Sequence, residues 1–435
     1  MPSRPATPPT LIALGREAAE VVASTQEMTT FRGAALFNPA RDSIFLSLPS
    51  YDAAKDAICA IPLVANRYGT KDAAGDRLTL QFVYQLFPRT SRLGVSEDVR
   101  RLWRRFLAEL KVPDWVYRGV ANLRNLALDA NVSVPLHLGE DVTIRGRSPD
   151  ELRSLGFSDA TLDALIEDWS QVGGTSPYVI CVEHSRPKSA DNLIRGDATG
   201  FVAARRAISG LRLAGPGDII MGPMWFIRPA KFNVGSGYGA LRGGSTLPSA
   251  ATSEYLLTKT ALREARSLQA DVQYLDNHGY ANAVGNLDVA LQSFLLTYER
   301  IPGGADFQLV DTITAAEAVL SEGINTFKLA FRMAGLLGRS DAERVHIFQD
   351  IMRFYKIRNS IVHGDRLKDA QLQTLTRVGD GREYMRRLLV AFVRLAVSSS
   401  PTRYTKQFFR EDLDTELQDQ RARRRMLQNL GLMRR

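Results

Sequence analysis

The feature that most constrains the fold is a change in hydrophobic period near residue 250. A glycine-rich segment at 235–244 (GSGYGALRGG) comes first, and apolar residues after it recur with the 3.6-residue spacing of an amphipathic helix. This spacing predicts helices over 253–277, 284–300, 306–321, 324–338, 341–363 and 380–398. The C-terminal part of the chain is therefore predicted to be an all-helical bundle, with the main domain boundary at about 235–252.

Residues ahead of the glycine-rich segment show a mixed pattern. Short apolar runs alternate with clusters of glycine, proline, asparagine and aspartate, which is typical of α+β material. The pattern predicts strands at 34–39, 43–49, 78–87, 178–184 and 218–227, and helices at 51–64, 96–110, 158–169 and 203–213. The predicted fold class is α+β, divided into a partly disordered N-terminal arm (1–25), an α+β sensor or accessory region (26–240), a helical domain (250–402) and a charged C-terminal tail (403–435).

Composition excludes several classes of protein. Of the 435 residues 45% are apolar and 24% charged, as in soluble globular chains, so the chain is neither fibrous nor wholly disordered. No run approaches the roughly 20 apolar residues of a membrane helix, and the start MPSRPATPPT lacks a signal-peptide core. We therefore expect a cytoplasmic protein with no membrane partner.

Metal and cofactor signatures are missing from the sequence. Cys59 and Cys181 lie far apart, and the histidines are scattered without paired ligand spacing, so neither a disulfide framework nor a metal site is predicted. The glycine-rich segment has no strand–turn–helix context and no following GK[ST], as a nucleotide site requires. We therefore predict no cofactor.

Positive charge is concentrated at the C-terminus. The formal net charge is +9, and residues 421–435 hold six arginines and no acid. This segment suits attraction to RNA phosphates, and the candidate contacts are Arg421, Arg423, Arg424 and Arg425. A solvated C-terminal helix, neutralised by the acidic residues just before it, explains the same pattern, and both interpretations stay open.

Two charged residues fall on apolar helix stripes. Glu317 lies in line with Val310, Ile313 and Leu320, and Arg358 lies among the apolar residues of 341–363. A charge on a buried face needs a partner, because an unpaired buried charge costs several kcal/mol. We predict an ion pair between Glu317 and Arg358, which is compatible with a functional role for the arginine.

The residues around Arg358 form a candidate site. Asn359 and His363 are four apart and share a helix face, whereas Arg358 lies about 140° around an ideal helix from His363. Gly364 is a natural residue to end the helix, which places His363 in its last turn. A guanidinium, an imidazole and an amide at a helix end suit binding and proton transfer at a phosphodiester.

This segment resembles a known motif. Arg358-Asn359-Ser360-Ile361-Val362-His363 is similar to the R-x(4–6)-H motif of HEPN domains, with asparagine where many members of the Apea-like branch have serine. Further similarity to that branch, which is associated with bacterial phage defence, extends over about 255–400. It is carried by 306–311, 316–320, 327–338, Phe354-Tyr355 and the closing Val362-His363-Gly364.

The resemblance implies a dimeric helical bundle that brings two motifs together in a metal-independent ribonuclease site. Arg358 would stabilise the phosphorane, Asn359 would orient the phosphate or the 2′-OH, and His363 would act as general acid and base. Glu317, Arg332 and Tyr355 would support the site. The expected function is a toxin or effector RNase in abortive infection, with RNA as substrate and an antitoxin or phage-derived trigger as a possible partner.

Two alternatives remain beside this hypothesis. In the first, the helical domain is a catalytically silent HEPN protein that binds RNA or another protein, and Arg358 and Glu317 only hold the bundle together. In the second, an enzyme site lies in the N-terminal region, for which the sequence offers no motif. Substitution of His363 by alanine separates the ribonuclease from the silent protein.

Overall fold

The structure is a computed structural model. It describes residues 6–24, 39–68, 72–84, 95–155, 162, 175–187, 199–227, 253–280, 283–299, 304–320, 325–398 and 403–433. Within these residues the architecture is α+β, with a mixed N-terminal region and a helical C-terminal region, as predicted. None of the described helices combines the length and apolar character needed to cross a membrane. The predicted boundary at 235–252 and most of the predicted helix at 158–169 lie outside the described residues.

The first unit is a group of helices with its own hydrophobic core. Leu14, Phe82 and Phe106 are fully buried at its centre. The amphipathic pattern of 96–110 is confirmed, since its stripe of Val99, Leu102, Trp103 and Phe106 faces this core. The helices are α1 (Pro9–Ser24), α2 (Pro39–Leu46), α3 (Tyr51–Cys59), α4 (Pro62–Tyr68), α5 (Asp72–Tyr84) and α6 (Val95–Lys111).

Three predictions for this unit differ from the structure. The described part of the predicted arm is mostly α1, which buries Leu11, Leu14 and Ala18. The strand predictions at 43–49 and 78–87 are wrong, because residues 43–46 lie in helix α2 and residues 78–84 lie in helix α5; residues 85–87 lie outside the described part of the chain. Short apolar runs fit both the two-residue period of a strand and the 3.6-residue period of a helix. Here Leu78 and Phe82, one helical turn apart, both pack into the core of this unit, which favours the helix. The strand predicted at 34–39 lies almost wholly outside the described residues.

A five-stranded antiparallel sheet follows, in the order β3-β4-β5-β1-β6. Its strands are β1 (Asp114–Arg124), β3 (Leu136–His137), β4 (Val142–Gly146), β5 (Thr175–Pro187) and β6 (Ile220–Ile227). The strands predicted at 178–184 and 218–227 are thereby confirmed as parts of β5 and β6. Two further strands, β2 (Leu126–Leu128) and β7 (Tyr255–Leu257), form a separate parallel pair.

Helix α8 (Thr199–Ala214) covers one face of the sheet and confirms the helix predicted at 203–213. Ala204, Ile208 and Leu211 face the sheet core, whereas the other face carries a smaller cluster around Val120 and Leu152, the latter from helix α7 (Pro149–Ser154). Helix α8 also packs against α9 (Lys259–His278), the first helix of the C-terminal region. Residues 199–214 therefore connect the sheet to the bundle.

The C-terminal bundle confirms the helices predicted at 284–300, 306–321, 324–338, 341–363 and 380–398. The helix predicted at 253–277 begins only at Lys259, because Tyr255–Leu257 pairs with β2 as strand β7. One continuous core runs through the bundle, with Phe294, Ile313, Ile351, Phe354 and Phe392 fully buried. The helices after α9 are α10 (Leu287–Glu299), α11 (Ala305–Leu320), α12 (Thr326–Leu337), α13 (Asp341–Val362), α14 (Asp369–Leu375) and α15 (Val378–Val397).

The segment predicted as a charged tail is part of the same bundle. It contains α16 (Lys406–Glu411), α17 (Leu413–Gln418) and α18 (Gln420–Asn429). Phe408, Leu413, Leu417 and Met426 are buried in the common core. Charge dominates the composition of this segment, but apolar residues at helical spacing provide a packing face, so the helical domain continues through residue 433.

Helix α15 touches both regions through a cluster of charged and aromatic side chains. The guanidinium carbons of Arg212 on α8 and Arg382 on α15 lie 4.5 and 4.9 Å from the ring centre of Tyr298 on α10. Arg382 also pairs with the buried Asp218 ahead of β6, and Arg386 donates to the carbonyl of Leu213 at 2.7 Å. These contacts fix the sheet region against the bundle.

Candidate active site at the end of helix α13

Helix α13 carries the predicted motif, and both of its ends are specified by the sequence. Ser340 caps the N-terminus by accepting a hydrogen bond from the Glu343 N–H at 3.2 Å. At the other end Gly364 adopts a positive φ of 76°, its N–H bonds the Ile361 carbonyl, and the Asp365 N–H bonds the Ser360 carbonyl. This pair of bonds is the Schellman termination, which favours glycine and ends the helix immediately after the motif.

The predicted ion pair between Arg358 and Glu317 is confirmed. Arg358 Nη2 lies 3.3 Å from Glu317 Oε2, and each side chain is about three-quarters buried between α13 and α11. The Tyr355 hydroxyl donates to Glu317 Oε1 at 2.8 Å, so the carboxylate holds two side chains from one helix. Burial and the hydrogen bond to Glu317 raise the pKa of Tyr355, which keeps the phenol protonated as a donor.

Asn359 is attached to the same group. Arg358 Nη1 donates to Asn359 Oδ1 at 3.1 Å, which fixes the oxygen and leaves the amide NH₂ to donate elsewhere. Arg358 Nε is buried and has no hydrogen-bond partner among the described residues. The guanidinium is thus held by Glu317 on one side and contacts Asn359 on the other, so it is oriented before any ligand arrives.

His363 is exposed at the last turn of α13. It is the C-cap residue, its N–H bonds the Asn359 carbonyl at 3.0 Å, and its imidazole has no hydrogen-bond partner in the described part of the chain. Arg358 and His363 are about 140° apart around the helix axis, and Asn359 lies between them in angle. Within one protomer Arg358 therefore contacts Asn359, whereas the imidazole lies on the Asn359 side of the helix and away from the guanidinium.

Arg332 lies in a different ion pair from the one that holds Arg358. It is 2% exposed and donates to both carboxylate oxygens of Asp414 on α17, at 2.7 and 3.0 Å, and to the Leu320 carbonyl at 2.7 Å. Burial acts to raise the pKa of Asp414, but the hydrogen bonds from Arg332 and Lys328 outweigh it and hold that pKa below its usual value. The role of Arg332 is to fasten α17 to α11 and α12.

The arginines of α18 divide into one buried and three exposed side chains. Arg423 is 5% exposed and donates to the carbonyls of Gly335 and Gly338, where it caps the C-terminal end of α12. Arg421, Arg424 and Arg425 are exposed. Gly338 lies just ahead of α13, and the motif lies at its far end, about 33 Å along a 22-residue helix. The structure therefore does not bring α18 and His363 together.

A buried carboxylate on α13 was not singled out by the sequence pattern. Asp350 is 1% exposed and accepts hydrogen bonds from Arg377 and from the Tyr384 hydroxyl of α15. Its position between Ile347, Ile351 and Phe354 is the same signal that identified Glu317, a charge on the apolar face of a helix. This pairing positions α13 on α15.

The sheet contains a cavity of about 270 Å³. Its two arginines already have carboxylate partners, since Arg118 pairs with Glu183 and Arg145 lies 2.7 Å from Glu151. Burial raises the pKa of the Cys181 thiol in its wall to about 12, so this cysteine is a poor nucleophile. Among the described residues no three His, Cys, Asp or Glu side chains converge as a metal site requires.

Comparison with known proteins gives no relative. No family model matches the chain, and neither a curated protein nor a solved structure does.

Proposed function

We propose that the protein is a metal-independent endoribonuclease of the HEPN type, with Arg358, Asn359 and His363 as its catalytic residues. The observation that carries the proposal is the orientation of Arg358 by Glu317 and Asn359, one turn before an exposed imidazole. A fixed guanidinium provides stabilisation of developing negative charge without reorganisation during the reaction.

The chemistry uses only groups that these side chains provide. His363 accepts the proton of a ribose 2′-OH, which attacks the adjacent phosphorus and forms a 2′,3′-cyclic phosphate as the bond to the 5′-oxygen breaks. The leaving oxygen takes a proton from a protonated imidazole. Arg358 stabilises the phosphorane, and the free amide of Asn359 donates to a phosphate oxygen or the 2′-OH. DNA has no 2′-OH and is not cleaved.

A complete site in this proposal needs two protomers. Arg358 and His363 point about 140° apart in one copy, so a second copy supplies the missing group across a shared face. The proposed face is a stripe along α13 that includes Asn359, with Phe327 of α12 packed edge-on to Phe348 at 5.4 Å between ring centres. Phe327 and Val345 are 60% and 57% exposed. The stripe consists of Val345, Phe348, Met352, Tyr355, Asn359 and Val362.

The biological role belongs to the same proposal. We propose a toxin or effector in phage defence, held inactive until the N-terminal region responds to a trigger or an antitoxin dissociates. This role rests on the resemblance of 255–400 alone. In the competing hypothesis, a silent binding module, the Glu317–Arg358 pair is purely structural. The ion pair is compatible with both hypotheses, so the test must measure RNA cleavage.

The test compares the wild-type protein with His363→Ala and with His278→Ala, a matched histidine control on α9. All three are incubated with total cellular RNA and with DNA in EDTA, after circular dichroism and mass measurements confirm folding and oligomeric state. We expect the wild type and His278→Ala to produce 2′,3′-cyclic ends, and His363→Ala to be slower by about 10²–10⁴-fold. Equal cleavage by all three, or none by the wild type, refutes the proposed reaction.

A further inference from the structure

The outward face of α13 carries a polar stripe beside the apolar one. Its residues are separated alternately by three and four positions, so they form one line along the helix. The line ends at the proposed catalytic histidine and contains no acidic residue. Its members, named the basic stripe, are His346, Gln349, Arg353, Lys356, Ser360 and His363.

The two permanent charges of the basic stripe are available to a ligand. Arg353 is 57% exposed, and its nearest carboxylate, Asp350 at 3.9 Å, is already hydrogen-bonded by Arg377 and Tyr384. Lys356 is exposed and has no ion-pair partner among the described residues. A cation without a close acidic neighbour keeps most of its attraction for an external anion.

The exposed arginines of α18 lie in a different charge environment. Asp419 caps that helix and accepts hydrogen bonds from the backbone N–H groups of Arg421 and Ala422 at 2.8 Å. These bonds, together with the charges of Arg425 and Arg421, lower the pKa of Asp419, so it stays ionised beside them. The α18 arginines are thus partly neutralised, and they lie at the end of α13 remote from His363.

The length of the basic stripe suits a polyanion. His363 lies seventeen positions after His346, which is about 26 Å along a helix. A stacked nucleic-acid strand has one phosphate per about 3.4 Å, so the stripe matches roughly seven to eight phosphates. Beyond His363 the exposed loop adds Arg366 and Lys368, opposed by Asp365 and Asp369. Positive charge is therefore least compensated ahead of the histidine, around Arg353 and Lys356.

We propose that an RNA strand binds along the basic stripe, with backbone phosphates on Arg353 and Lys356, and that this path leads it to His363. Binding along the stripe stands on charge and exposure, whereas delivery to a reacting histidine rests on the proposed function. The contacts are to phosphates, so they attract RNA strands of any sequence and leave sequence preference to other groups.

The experiment measures binding in a protein that cannot cleave. Full-length protein carrying His363→Ala is titrated into a fluorescein-labelled 20-nucleotide oligouridine, and anisotropy is followed at several salt concentrations. The stripe variant adds Arg353→Glu and Lys356→Glu. A matched control adds Arg101→Glu and Arg105→Glu on the exposed face of α6, and a third protein adds Arg424→Glu and Arg425→Glu. Circular dichroism checks that every variant is folded.

The proposal predicts that the stripe variant binds at least tenfold more weakly and that the slope of log K against log salt falls by about 1.4, for two lost phosphate contacts. The α6 control retains wild-type affinity. Wild-type affinity in the stripe variant, equal loss in the stripe variant and the α6 control, or loss confined to the α18 variant overturns the proposal. If the stripe variant loses binding but the wild type makes no cyclic-phosphate ends, the proposed reaction fails and the binding path stands.

Discussion

The carboxylate of Asp350 accepts two parallel hydrogen bonds from the guanidinium of Arg377, at 3.0 and 2.8 Å. Asp350 is buried on the motif helix, and Arg377 is the residue immediately before α15, so this pair aligns two helices of the bundle. Replacing Asp350 by alanine leaves Arg377 and Tyr384 without their shared acceptor. Because Arg377 is about one-third exposed and keeps Asp380 as a partner, we expect the free energy of unfolding to fall by about 1–3 kcal/mol, measured by urea denaturation.

Asp380 provides the matched control for Asp350. It also contacts Arg377, at 2.9 Å, but its side chain is half exposed. An exposed ion pair contributes about 0–1 kcal/mol, so Asp380→Ala should unfold at nearly the wild-type urea concentration. Similar destabilisation by both substitutions would show that burial of Asp350 is not what makes its pairing important.

The Asp414–Arg332 pair predicts a pH-dependent contribution to stability. The pKa of Asp414 is lower in the folded protein than its ordinary value of 3.8. A lowered folded pKa stabilises the protein above the unfolded pKa, and this stabilisation is lost as pH falls through the folded value. We expect Asp414→Asn to cost about 1.5–3 kcal/mol at pH 7 and progressively less below about pH 4. Urea unfolding across that pH range measures the difference.

The control for this prediction lies two residues away. Asp412 is exposed, and Asp412→Asn makes the same change of charge without a buried arginine partner. The free energy of unfolding of Asp412→Asn should stay within about 0.5 kcal/mol of the wild-type value at both pH 7 and pH 3. A constant cost of Asp414→Asn from pH 7 to pH 3 would contradict the assignment of the effect to ionisation.

The side chain of Asn122 on β1 occupies space left by Gly222 on β6. A Cβ atom at position 222 would lie 1.7 Å from Asn122 Oδ1. Gly222→Ala must therefore displace a fully buried side chain, and we expect a loss of about 1–3 kcal/mol or more in thermal or urea unfolding.

Two further variants test whether the clash with Asn122 causes the loss of stability in Gly222→Ala. The amide of Asn122 has no hydrogen-bond partner within the described residues, so Asn122→Ala loses little and should recover much of the stability of Gly222→Ala. A Cβ atom on Gly146, in β4 of the same sheet, meets nothing within 4 Å, and Gly146→Ala should be nearly neutral. Additive effects of the 122 and 222 substitutions would contradict the steric explanation.

Arg358→Lys separates the structural role of Arg358 from its catalytic role. Lysine keeps the charge opposite Glu317 but loses the planar fork that also reaches Asn359. Because the charge opposite Glu317 is kept and one hydrogen bond to Asn359 is lost, the free energy of unfolding should fall by about 1 kcal/mol or less. If the proposed function is correct, RNA cleavage in EDTA should fall by about 10²-fold or more. Full activity in this variant would remove Arg358 from the reaction.

Much of the bundle could be predicted, because long amphipathic stripes specify both helix and buried face. The same logic predicted the Glu317–Arg358 pair, since a charge on such a stripe needs a partner. It would also have identified Asp350, which lies on the buried side of α13. Short segments were harder: the apolar runs at 43–49 and 78–87 fit a strand as well as a helix. Packing of residues 43–46 and 78–84 against neighbouring helices decides between them, as in the contacts of Phe82 with Trp103 and Phe106 of α6.

Other features depend on contacts that local patterns do not contain. Arg423 looks like its neighbours Arg424 and Arg425 in the sequence, but it is buried because two carbonyls at the end of α12 accept its hydrogen bonds. The fit of Asn122 beside Gly222 arises from the register of two strands about 100 residues apart. Arg332 follows the same rule, since its partner Asp414 is 82 residues away.

Helix α15, together with Arg377 immediately before it, contacts both the sheet region and the motif helix α13. Arg386 holds the carbonyl of Leu213, Arg382 pairs with Asp218, and Arg377 holds Asp350 on the motif helix. The sheet region and the motif helix are therefore both held by contacts with α15 and Arg377. A partner that displaces α8 from the bundle must either break the Arg386 contact or carry α15 with it, and the second outcome transmits the displacement to α13. If the proposed function is correct, the motif is thereby coupled mechanically to a helix outside the proposed RNA path.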